Sequence, residues 1–193
     1  MREVQAGVWH WEAPHPEWKP GEEWDELVSS YAIDDGARLL LFDPIAPPPE
    51  IEALAIERET AIVLTCPWHR RDAEGFAERL GAALYVPPPD DGDASPVDGQ
   101  IFGAGEDLPV GVVAYEGMEP NDLLLWVESH RVLVAGDTLI IRGDGLELPA
   151  DWIGASLEEV RERVRPILEL PVELVLATHG GSTDRAAFER ALA

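Results

Sequence analysis

Between Val28 and Pro87 the chain alternates short apolar runs with segments of helical spacing, and beyond about residue 110 it turns to closely spaced strands before ending in two more helices. VSSYAIDDGARLLLFDP places two apolar runs around Asp34-Asp35-Gly36, a turn signal that predicts a hairpin ended by Asp43-Pro44. PPPEIEALAIERE predicts a helix opened by prolines, AIVLT a strand buried on both faces, DAEGFAERLG a helix stopped by Gly81, and AALYVP a further strand. A βαβαβ order of this kind predicts parallel neighbours in one sheet.

The strands VGVVAYE, DLLLWVES and RVLVAGDT follow, the last two joined by a turn at Glu128-Ser129-His130. SLEEVRERVRPILEL then predicts a helix, with Ser156 and Glu159 spaced as a capping box. VELVLAT predicts a strand, and a last helix is expected from about Thr183. At the N-terminus residues 2–11 predict one strand and APHPEWKPGEEWDE a loop, while PPPDDGDASPVDGQ predicts an exposed, mobile loop. The whole predicts an α/β (α+β) fold in two βα halves with their sheets face to face. No repeat of fixed period is present.

A length of 193 residues with 46% hydrophobic positions predicts one globular domain spanning 1–193. No apolar run approaches the roughly 20 residues that cross a bilayer, and no secretory leader pattern opens the chain, so a cytoplasmic location is expected. The single cysteine, Cys66, has no partner for an internal disulfide. A formal charge of −24, from 38 acidic against 14 basic residues, argues against nucleic acid and anionic membranes as partners and leaves a small-molecule ligand. Nothing in the pattern sets the oligomeric state.

Three chemistry-bearing stretches end buried strands: LTCPWHRRD, LVAGDTL and LATHGG. Their order, with the hairpin before them, resembles the metallo-β-lactamase superfamily over nearly the whole chain. The resemblance implies a four-layer αβ/βα sandwich and a metal-dependent hydrolase. It implies that Asp137 stands for the aspartate bridging two ions and His179 for the terminal histidine. Other family positions are changed. Met118 replaces a histidine, Cys66 and Trp68 fall where the first two histidines of the His-x-His-x-Asp-His loop belong, and Arg70 and Arg71 fall where its Asp-His belongs.

Tryptophan offers only an N–H donor and arginine brings a positive charge, so a two-ion site is not expected. Two readings stay open. One is a single ion, zinc by donor type, held by His69, Asp72, Asp137 and His179 with Cys66 as a further thiolate; His69 and Asp137 would then carry the hydrolysis of an ester, amide or thioester. The other is a catalytically silent scaffold or small-anion binder, in which Arg70 and Arg71 pair with Asp72 and Asp137 in place of a metal. His130 is expected at the surface, and the loop bearing His10 and His15 either covers the cleft or plugs a core edge.

Overall fold

The computed structural model describes every residue except 91, 92, 94, 96, 144 and 155. The expected loop at 87–100 therefore lies partly outside the described residues. Strands β1 (Arg2–Gln5) and β2 (Val8–Pro14) form a hairpin that turns at Gly7, with φ of 74°. The expected single strand over residues 2–11 is thus two. Any Cβ at position 7 would sit 2.6 Å from the Asp34 carbonyl oxygen, so only glycine lets the turn press against the next hairpin. Strand β2 also runs on to Pro14, into the stretch expected to be loop, because all seven of its residues pair with β3 (Leu27–Asp34).

The hairpin from β3 to β4 (Arg38–Phe42) forms as expected, with the Asp35 carboxylate accepting from the amides of Ala37 and Arg38 at the turn. Helix α1 (Pro49–Glu57) leads to β5 (Glu59–Val63), parallel to β4, and α2 (Ala73–Leu80) leads to β6 (Ala83–Val86), parallel to β5. Gly81 ends α2 in the left-handed region, as its position predicted. The short β7 (Gln100–Ile101) completes a seven-stranded sheet in chain order.

The second sheet holds β8 (Asp107–Leu108), β9 (Val112–Glu116), β10 (Leu123–Val127) and β11 (Val132–Val134). A small hairpin, β12 (Ile140–Arg142) with β13 (Gly145–Glu147), precedes α3 (Leu157–Val164). The Ser156/Glu159 capping box is present, but the α-helix is shorter than expected: Pro166 has no N–H to continue the ladder, and residues 165–169 tighten into a 3₁₀ turn. Strand β14 (Leu174–Ala177) lies parallel to β11, and β15 (Gly181–Asp184) turns back antiparallel to it. Asp184 then caps α4 (Arg185–Ala191), accepting from the Ala187 amide at 2.9 Å.

Alternation along the strands sorts the core into layers. In β10, Leu123 and Leu125 point towards the first sheet, where they join Tyr31, Phe42 and Val63, while Leu124 and Trp126 point to the layer of α3 and α4 with Val160 and Phe188. On the far side, Ile62 and Leu64 pack with Ile51 of α1 and Phe76 of α2. The order helix, sheet, sheet, helix explains why LLLWV and AIVLT read as unbroken apolar runs: both faces of those strands are covered. At one edge of the sandwich the sheets are tied together. The Tyr31 hydroxyl donates towards the carbonyls of Ala177 and Gly181, at 2.6 and 2.7 Å, and the Leu123 amide donates to the Thr65 carbonyl at 2.9 Å. The ends of β4, β5, β11 and β14 converge at that edge.

Candidate functional site

The loop after β5 folds back on itself, with the His69 amide donating to the Cys66 carbonyl and Arg71 held at φ of 40°. This sends the His69 ring inward. Its Nδ1 lies 2.9 Å from Thr65 Oγ1 and 3.2 Å from Asp43 Oδ2, while Nε2 faces Asp137 Oδ1 at 3.3 Å. Asp43 is fixed in turn by the Thr65 amide at 2.9 Å and the Thr65 hydroxyl at 2.6 Å. Burial works against a charge on His69, but Asp137 and Asp43 outweigh it and push the imidazole pKa up to about 9.

Asp137, in the turn after β11, accepts from the Trp68 indole N–H at 2.9 Å through Oδ2 and from the Thr178 hydroxyl at 3.2 Å through Oδ1. His179 Nε2 stands 3.5 Å from the same Oδ1. Burial works to raise the Asp137 carboxyl, yet the His69 charge and the hydrogen bond from His179 hold it well below the carboxylate range. The Nδ1 atom of His179 is buried with no partner among the described residues. Of the two ring nitrogens, Nε2 is therefore the one that faces an acceptor, Asp137 Oδ1.

Beside these residues lies a third carboxylate. Asp122 accepts from the Cys66 thiol at 3.1 Å, the Asp137 amide at 3.1 Å and the Thr138 hydroxyl at 2.5 Å. Burial, then the Asp137 charge, push its pKa up to about 7. Burial also pushes the Cys66 thiol up, with Asp122 adding to the effect. Gly136, at φ of 52°, is required here, since a Cβ would collide with the Asp122 carboxylate.

His69, Asp137 and His179 are thus brought together, and Asp72 is not. Its side chain accepts from the Ala46 amide at 2.7 Å and lines a separate cavity, because the turn at Arg71 rotates position 72 outward to start α2. The arginines form none of the expected ion pairs with Asp72 or Asp137. Arg71 instead donates to the backbone carbonyls of Ser29 at 2.7 Å and Asp43 at 2.8 Å, bracing the floor of the site, while Arg70 is exposed. Met118 is buried against the cleft in the place expected for a histidine.

The cleft itself measures about 660 Å³, with His69, Asp137 and His179 at its floor. Both expectations for the N-terminal histidines are met in part. His15 lines the cleft beside Trp24, whereas His10 is buried within β2, stacked on Tyr31 at 4.9 Å and bonded to Ser29 Oγ at 2.9 Å. Sequence reasoning missed Asp43 and Asp122 as members of the site. A carboxylate abutting an apolar run, as in LLLFDP and NDLLLWV, is the signal that could have found them, because a buried charge needs a built partner.

The profile of the Metallo-beta-lactamase superfamily matches residues 61–179, more than half of the chain. The chain belongs to the metallo-beta-lactamase superfamily. Solved structures agree on the fold. DIM-1 metallo-beta-lactamase matches at TM-score 0.69 and 14% identity, covering 98% of this chain and 93% of that one. TTHA1429 from Thermus thermophilus, a metallo-beta-lactamase family protein, matches at TM-score 0.66 and 16% identity, covering 98% and 78%. TTHA1623 in a di-iron-bound form matches at TM-score 0.62 and 22% identity, covering 85% and 93%. At such identities the likeness carries the fold alone. No curated protein sequence matches the chain.

Proteins of this superfamily typically bind metals, so the donor set must be tested against that chemistry. Cys66 Sγ, one nitrogen of His69 and one oxygen of Asp137 lie within 4.8 Å of one another and are all buried, a group that could hold an ion. Two ligands of a tetrahedral ion with bonds of about 2.0–2.1 Å stand roughly 3.4 Å apart. The 3.3 Å between His69 Nε2 and Asp137 Oδ1 fits that spacing. His69 also has the carboxylate behind its other nitrogen that orients metal-binding histidines. Around these donors, Trp68 donates to Asp137 Oδ2, Met118 offers only a thioether, and His179 Nε2 stands 3.5 Å from Asp137 Oδ1.

Proposed function

We propose that this protein is a metal-dependent hydrolase with a reduced site that holds one ion through Cys66, His69 and Asp137. The observation that supports the reading most is the convergence of those three donors, with His69 and Asp137 lining an open cleft, Cys66 buried beside them and Asp43 behind His69. The donor set of nitrogen, oxygen and sulfur suits zinc. The chemistry an ion supplies there is Lewis acidity towards an ester, amide or thioester carbonyl and towards water.

The chain's own residues do the rest. Asp43 and Thr65 hold the His69 ring so that Nε2 faces the cleft floor, and Trp68 and His179 fix the Asp137 carboxylate from two sides. Asp122 receives the Cys66 thiol, and its pKa of about 7 makes it the nearest base for that proton when the thiol becomes a ligand. Trp24, Trp68 and Trp152 narrow the cleft and restrict water around the bound substrate.

One observation favours a second reading, a non-catalytic binder. Every donor already has an internal partner: Trp68 on Asp137, Asp122 on Cys66, and two carboxylates around His69, which is itself a cation near neutral pH. Zinc reconstitution followed by elemental analysis and a thioester and p-nitrophenyl ester screen separates the two. A hydrolase binds zinc and turns over a substrate that His69→Ala does not. The binder reading gains if zinc is refused and no substrate turns over.

A further inference from the structure

The outer half of the cleft differs from its floor. Glu17, Glu22 and Glu23 line it together with Trp24, Trp68 and Trp152. The three glutamates are solvent-exposed, and Trp68 keeps 44% of its surface accessible. Trp24 and Trp152 each meet the His179 ring edge-on, at centroid distances of 5.9 and 5.3 Å, so that histidine spaces the two indoles at the mouth. His179 itself is buried, and its Nδ1 has no partner among the described residues.

The loop between β2 and β3, which carries Glu17, Glu22, Glu23 and Trp24, is braced. The His15 amide donates to the Glu26 carbonyl at 2.8 Å, the Trp18 indole donates to the Trp24 carbonyl at 2.8 Å, and His15 packs edge-on against Trp24 at 5.1 Å. The three glutamates and Trp24 are therefore presented together by a bonded loop, and Trp68 and Trp152 reach the same cleft from the segments after β5 and β13.

Among the described residues, cations of the protein do not neutralise this mouth from within. Arg71 spends its guanidinium on the carbonyls of Ser29 and Asp43 at the floor. Arg142 sits in the neighbouring cavity, where it is bound through both nitrogens to Asp151 at 2.8 Å. Its guanidinium carbon lies 5.2 Å from the centre of the Trp152 ring, so one indole of the mouth already accepts a cation from the protein. Lys19, the chain's one lysine, belongs to the same loop and is exposed.

We propose that the mouth of the cleft binds the cationic end of the substrate, a quaternary ammonium or similar organic cation, between its tryptophan faces and its three glutamates. The proposal rests on the reading of this cleft as the substrate site, and it names the substrate class: an ester or thioester whose cationic group stays at the mouth while its carbonyl reaches His69 and Asp137. Indole faces attract an alkylated cation whose desolvation is cheap, and flanking carboxylates raise its local concentration.

The test is calorimetric titration of the full chain with choline, its uncharged isostere 3,3-dimethyl-1-butanol, and acetate, in EDTA and again after zinc loading. Choline is expected to bind at least tenfold tighter than the isostere in both conditions, and to bind less tightly as salt rises. Glu22→Gln with Glu23→Gln, and separately Trp152→Leu, should each weaken choline threefold or more while the melting temperature stays within a few degrees. Equal affinity for choline and the isostere, or tighter binding of acetate, overturns the proposal. If choline is preferred but zinc is refused, the binding site stands and the hydrolase reading falls.

Discussion

Two sets of loops face each other across the cleft, and they match the ligand pattern implied by the superfamily resemblance to different degrees. The loops after β11 and β14, from the second sheet, retain Asp137 and His179 at the positions the superfamily resemblance implies. The loop after β5, from the first sheet, presents Cys66, Trp68 and Arg71 where ligands were expected, and its one histidine, His69, arrives from a neighbouring position. The contrast has a physical basis. Asp137 accepts from Trp68 and from Thr178 and faces His179, so it ties the loops after β5, β11 and β14 to one another. The first loop is tied inward by the side chains of Thr65, Cys66, Trp68, His69 and Arg71, which leaves only an outward side chain such as Arg70 free to change without dismantling the sandwich.

The largest effect should come from His69, the residue that links both sides. His69→Ala is expected to reduce hydrolysis by about a hundredfold or more, in the range of a lost acid, base or ligand. It should also alter the pH dependence of stability in the metal-free protein. The folded-state pKa of His69 is raised above its ordinary value of 6.5, so the stability it contributes is fully present below pH 6.5 and is lost as pH rises through about 9. Thermal melts between pH 6 and 10 should fall for the native chain and flatten for His69→Ala.

Arg71 breaks the comparison in another direction, since it sits at a ligand position but serves the fold. Arg71→Ala should cost about 2–3 kcal/mol in denaturant unfolding, from charged hydrogen bonds to two carbonyls that lose their donor. It should leave zinc stoichiometry unchanged. Trp68→Phe should be milder. Losing the indole N–H on Asp137 is expected to weaken zinc binding about tenfold, the lower end for partners that orient a ligand, measured by competition with a chelator.

Smallest of all should be Asp72→Ala. The carboxylate accepts one backbone N–H at an exposed position, so its removal should cost less than about 1 kcal/mol and leave metal binding intact. A large loss of zinc in this variant would return Asp72 to the ligand set.

The same contrast explains what the sequence made legible. Parallel strands covered on both faces write continuous apolar runs, and Gly81, Ser156 and Asp34-Asp35-Gly36 mark their turns and caps by local chemistry, so the layered fold could be read directly. Strands of two or three residues such as β7, β8 and β12 carry no period, and they form only because a neighbour offers an edge. At the site, Asp137 and His179 were legible because they end strands. Asp43, Asp122 and the inward turn of His69 were not, since each is defined by partners distant in the chain. Arg71 was misread for the same reason: its charge was visible, but the carbonyls that bind it come from the ends of β3 and β4.

Metal stoichiometry of the purified, zinc-reconstituted protein, read by elemental analysis beside Cys66→Ser and Asp137→Ala, tests the one-ion site most directly. The account predicts about one zinc per chain, lost in both variants. Two zincs per chain, or none under any loading condition, would contradict it.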